Sequence, residues 1–150
     1  MIAMKYINKT AATVAAVRDY ENMRFSINHT PQEIKDIYEH MTSPRGPKLS
    51  GMPLVNNPQA GDDMLAAHID KLDFLRERYS QAFEYLAWFE PEWSSLTKME
   101  QHNLSEFYIT DNQKSGATYR LMNELSYSES QIERLRSNSI NHLRSLLYGS

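Results

Sequence analysis

Six polar side chains recur at helical intervals near the end of the chain: Ser130, Gln131, Arg134, Ser137, Asn138 and Asn141. Residues of these types are suited to hydrogen bonding with nucleic acid. An Arg guanidinium forks toward guanine or phosphate, an Asn or Gln amide matches the edge of adenine, and a Ser hydroxyl bonds phosphate oxygens. On a helical wheel of about 100° per residue the six share one side, with Gln131 and Asn138 at its margins. Leu135, Ser139, Leu143 and Leu146 fall within about 60° of Ile132 on the opposite side, which makes that side the buried one. The acids Glu129 and Glu133 occupy a lateral flank.

Such a helix needs a start and a support. Ser128 and Gln131 form the capping-box pattern Ser-x-x-Gln, and Ser126-Tyr127 separates this start from a short helical stretch over residues 118–125. Two helices divided by so tight a turn cross steeply, which is the helix-turn-helix arrangement. Amides left free at the Ser128 end favour phosphate. Ser139, small at an inward position, lets the preceding helix approach closely. Patterning alone fits equally the last amphipathic helix of a bundle.

The stretch ELSYSESQIERLRSNSINHLRSLLYG adds a resemblance. Its Leu-x-Tyr-Ser core, its Gln followed by an apolar residue, its Arg-rich helix and its closing Leu-Tyr-Gly resemble the C-terminal signature of phage-encoded transcriptional regulators of the ArpU/RinA type. More distantly the stretch is similar to domain 4 of bacterial sigma factors, with Leu125, Ser128, Ile132 and Leu143 at matching core and cap positions. The resemblance covers residues 96–149. It implies a regulator of phage or prophage late genes that binds double-stranded promoter DNA and contacts host RNA polymerase in the bacterial cytoplasm. It also implies that Ser130, Gln131, Arg134 and Asn138 face bases, while Thr118, Arg120, Ser128 and Arg136 serve phosphates or packing. Ser137 and Asn141 complete the polar face. Arg136 lies about 40° from the core direction, where pairing with a local acid competes with DNA contact.

Upstream, the sequence predicts a helical arm or antiparallel helical hairpin. Residues 5–27 contain no Gly or Pro and space Ile7, Ala11, Val14 and Val17 for an amphipathic helix. Thr30-Pro31-Gln32-Glu33 reads as a cap, a first-turn proline and a capping-box acid, opening a separate short helix to about Met41. Residues 43–61 hold Pro44, Pro47, Pro53 and Pro58 with Gly46, Gly51 and Gly61, a loop or linker. A long helix is then predicted over residues 62–89, ended by Pro91, with Leu65, Leu72, Tyr79 and Leu86 seven apart. That heptad fits either packing on the first helix within one chain or a coiled-coil homodimer through the arm. Thr97 and Glu100 cap a helix over residues 97–109, and residues 111–116 read as a turn. No stretch alternates like a strand. The expected fold is all-α, divided into an arm over residues 1–93 and a helix-turn-helix domain over residues 94–150.

Composition excludes several chemistries. The chain has 150 residues and no Cys, so disulfides, thiolate zinc sites and Cys nucleophiles are ruled out, which accords with a reducing cytosol. No leader pattern or membrane-length apolar run is read, and no membrane role is expected. His29, His40, His68, His102 and His142 are scattered without ligand spacing, and no phosphate-cradling Gly loop is present. Neither catalytic residues nor a metal or cofactor are therefore expected. The net charge of −3 argues against coating nucleic acid by bulk charge. Over residues 126–150, Arg134, Arg136 and Arg144 face two acids, a weakly basic head whose DNA affinity would be modest. Two rivals share the sequence: a sigma-like module that docks on polymerase without touching DNA, and a DNA-packaging recognition subunit.

Overall fold

The computed structural model describes residues 7–42, 58–110 and 114–150, and among them it is all-α, with no strand. Helix α1 spans Lys9–Thr42, α2 Pro58–Ser94, α3 Lys98–Ser105, α4 Lys114–Leu125 and α5 Glu129–Tyr148. A π-helical turn, Glu106–Thr110, follows α3 directly. None of the described helices is long and apolar enough to cross a membrane.

Several sequence boundaries move. Helix α1 starts where the Asn8 carboxamide accepts the amide of Ala11 at 3.0 Å, and it then runs unbroken through Thr30-Pro31. Thr30 is no cap. It is fully buried, and its hydroxyl accepts Arg78 Nε at 3.2 Å and Nη2 at 2.8 Å, while the same guanidinium pairs with Glu33 at 2.6 Å. The residues that mimic a helix start thus tie α1 to α2. Pro31 itself is exposed, and its interior position costs about 3 kcal/mol, which the packing of its neighbours outweighs.

Helix α2 begins at Pro58, a first-turn position that suits its fixed φ, and includes Gly61, which the sequence pattern assigns to the loop. Residues 43–57 of that loop lie outside the described residues. Pro91 does not end α2, because Phe89 and Trp93 anchor the last turn in the core and the Pro91 carbonyl still accepts the amide of Ser95 at 3.2 Å. The turn placed at residues 111–116 is helical from Lys114, and residues 111–113 are outside the described set.

By packing, the chain forms two compact units, and both long helices pass from one to the other. The described parts of Met1–Arg24 and Glu84–Ser150 form the first. Its core is aromatic: Phe89 stacks on Tyr85 and Trp93 at centroid distances of 5.2 and 5.6 Å, with Val17, Leu104, Ile140 and Leu143 around them. A second cluster, Phe107, Ala117, Leu121 and Ile132, holds α4 against α5. The other unit, Phe25–Phe83, is an antiparallel helix pair whose apolar cluster is Ile37, Leu72 and Leu75, with Ala82 also buried. The grouping cuts α1 and α2 rather than falling at residues 93–94.

Candidate nucleic-acid interface

The corner before α5 is built by local chemistry. Ser126 takes a left-handed conformation, φ 57°, which turns the chain sharply after α4. The capping box then forms in both directions: Ser128 Oγ accepts the Gln131 amide at 3.3 Å and Gln131 Oε1 accepts the Ser128 amide at 2.8 Å. At the far end Gly149, φ 74°, closes the helix by donating its N–H to the Ser145 carbonyl at 2.8 Å.

The buried side of α5 carries Ile132, Ser139, Ile140 and Leu143. Leu135 and Leu146, expected inward, are half-buried, and Ile140 takes a place the wheel did not assign. The Ser139 hydroxyl is satisfied by the Leu135 carbonyl at 2.7 Å, so a small polar residue is accommodated in the core.

Six of the ten candidate residues form one exposed stripe: Ser130, Gln131, Arg134, Ser137, Asn138 and Asn141. Among the described residues Arg134 has no ion-pair partner, so its guanidinium keeps its donors for a ligand. Gln131 offers its amide nitrogen, since its oxygen is engaged in the cap. Ser128 is exposed but spent on the same cap.

Three candidates are held internally. Thr118 is buried at 9% exposure. Arg120 Nε pairs with Glu106 at 2.8 Å. Arg136 pairs with Glu133 and lies 4.9 Å above the Phe107 ring, so it braces the π-helical turn against α5.

The sequence reading missed neighbours on α1. Thr10, Val14, Tyr108, Arg136, Ser137, Ile140 and Asn141 line a groove of about 250 Å³ beside the stripe. Arg144 donates to the Thr10 hydroxyl at 3.0 Å, Lys9 to the Ser150 hydroxyl, and the Arg18 guanidinium sits 5.5 Å over Tyr108. These three cations meet only neutral groups among the described residues, which leaves the groove edge basic. Arg144 was findable, three residues beyond Asn141 on the same side of the helix; Lys9, Thr10 and Arg18 were not, because only tertiary packing brings α1 to α5.

Two His–carboxylate contacts fix α3 beneath this surface. His142 Nδ1 meets Glu100 at 2.9 Å and His102 Nε2 meets Glu124 at 2.9 Å. Burial of Glu100 opposes its ionisation, but hydrogen bonds from His142 and Thr97 outweigh it and hold the carboxyl below its ordinary pKa. In the other unit, a groove of about 240 Å³ mixes Glu33 and Asp36 with His40, His68 and Lys71, a lining whose acids disfavour phosphate. Among the described residues no cluster of three or more His, Asp or Glu could hold a metal ion.

Compared with family models, with curated proteins and with solved structures, the chain matches none.

Proposed function

We propose that the chain is a DNA-binding transcriptional regulator of phage or prophage late genes, reading promoter DNA through α5. The observation that carries this reading is the exposed stripe Ser130, Arg134, Ser137, Asn138 and Asn141, free of acids, on a capped helix that follows a tight corner. An α-helix fits the major groove, where Arg134 can fork to guanine and Asn138 or Asn141 to adenine. The basic groove edge at Lys9, Arg18 and Arg144 suits a flanking phosphate, and the helix start at Ser128 suits another.

Affinity rests on few charges, so binding is modest and falls as salt rises. The test is selection of DNA fragments by the purified chain, followed by fluorescence anisotropy on the recovered sequence. Saturable binding weakened by Arg134→Ala supports the reading; equal affinity for every fragment with no effect of Arg134→Ala removes it.

The head's weak charge, with Tyr119 at 67% and Met99 at 43% exposure in the same unit, favours a second reading. There the head docks on RNA polymerase without DNA contact. Co-purification with polymerase, in the absence of any DNA shift, would select it.

A further inference from the structure

The groove between α1 and α5 is lined by hydrogen-bond donors and by no acid. Thr10 of α1, Tyr108 of the π-helical turn, and Arg136, Ser137 and Asn141 of α5 supply three hydroxyls, a guanidinium and a carboxamide around about 250 Å³. Among the described residues the side chains of Ser137 and Asn141 and the Tyr108 hydroxyl make no hydrogen bond. Thr10 accepts one from Arg144, which leaves its own proton to give. The groove of the Phe25–Phe83 unit is the contrast, since Glu33 and Asp36 stand in its wall. Cations flank the donors. Thr10, Val14 and Arg18 are four apart on one face of α1, a span of about 12 Å. Arg144 meets Thr10 at 3.0 Å at one end of that span, and Arg18 lies 5.5 Å over Tyr108 at the other. Lys9 stands next to Thr10 and reaches the Ser150 hydroxyl. Arg136 is neutralised by Glu133, but none of these three cations has an acid partner among the described residues. Arg144 is also underused: its Nε–H is buried with no acceptor among them.

We propose that this groove is a phosphate site, held by Thr10, Ser137, Asn141 and Arg144, with Lys9 and Arg18 supplying the surrounding field. A phosphate brings negative charge and hydrogen-bond acceptors, which is the complement of a lining of donors flanked by unpaired cations. A neutral ligand would leave those charges unanswered, and a cation would be repelled. The site makes α1 a second contact element beside the reading helix, outside the stretch from which the reading of α5 is drawn. That the phosphate belongs to the DNA backbone rests on that reading, because Ser137 and Asn141 are common to groove and stripe. The site itself rests on the donor set alone. A free phosphate ester carries the same chemistry, and the experiment separates the two sources.

The first arm uses no DNA. Inorganic phosphate is titrated into the full chain at constant ionic strength, with chloride as the reference anion, and heteronuclear NMR follows the Arg144 Nε–H and the Asn141 side-chain amide. Both signals should shift saturably with phosphate and not with chloride. Arg144→Gln should weaken the response at least about tenfold, as loss of a charge-assisted hydrogen bond implies. Arg24→Gln removes the same charge from elsewhere in this unit and should leave the titration unchanged. Thr10→Glu, which places a carboxylate in the groove and keeps Arg144, should abolish the response with helix content by circular dichroism intact. The second arm uses the selected duplex. Arg144→Gln should there shrink the slope of log affinity against log salt by about one with base preference unchanged, which assigns the phosphate to the DNA backbone. An unchanged slope beside an intact response to inorganic phosphate assigns the site to a free ester. If no duplex is recovered, the reading of α5 falls while the first arm still decides the groove. No saturable shift, equal shifts with chloride, or equal effects of Arg144→Gln and Arg24→Gln would each overturn the proposal.

Discussion

Arg134 separates base reading from phosphate binding in one experiment. If it forks to a guanine edge, Arg134→Ala should cost about 1–3 kcal/mol and relax preference at a single base pair. If it meets phosphate, the loss should be uniform over sequences and the slope of log affinity against log salt should shrink by about one. Competition anisotropy over single-base variants and a salt titration distinguish the two. Glu100 sets a second expectation at this scale. Its folded pKa is lowered, so its contribution to stability is complete above the unfolded carboxylate pKa and is lost as pH falls through the folded one. Acid unfolding followed by circular dichroism should therefore lose part of its steepness in Glu100→Gln, on the acid side of the ordinary carboxylate range. Local geometry made the Arg134 stripe legible, since each member lies on one face of one helix. Arg136 was legible only in half: Glu133 is three residues away in sequence, whereas the Phe107 ring beneath its guanidinium comes from a different element.

At the scale of elements, the two capping boxes were readable because cap and acceptor lie within one turn. Thr97 with Glu100 and Ser128 with Gln131 both close as their patterns require. Ser128→Ala should cost about 1 kcal/mol, and the thermal melt should shift down by a few degrees. The prolines were misread for a physical reason. Pro31 and Pro91 each remove one amide from a helix, a local cost of about 3 kcal/mol, but partners distant in sequence repay it: Arg78 on Thr30 in one case, Tyr20 of α1 against Phe89 and Trp93 in the other. Pro31→Ala restores the amide that would bond the Ile27 carbonyl on an exposed face. It should stabilise the chain by up to about 3 kcal/mol, less the entropy the unfolded chain regains, and a raised denaturant midpoint would register it. The π-helical turn at Glu106–Thr110 had no sequence signal, since its register depends on Phe107 reaching the cluster under α5.

Over the whole molecule, the all-α class was legible from periodicity and from the lack of strand alternation, and the compact units were not. Helix period shows which face is apolar but not where along a long helix its partner changes. Hence the reading divided the chain at residues 93–94, whereas packing joins the described residues up to Arg24 and those from Glu84 into one unit with the C-terminal helices. The aromatic core of that unit has one more consequence. Both tryptophans of the chain, Trp88 and Trp93, belong to it, and the Phe25–Phe83 unit has neither. Indole emission is therefore a private reporter of one half, while ellipticity sums over both. If the halves melt independently, the two traces should separate on heating, with emission following the half that carries the reading helix; superposition would mean that they unfold as one cooperative block.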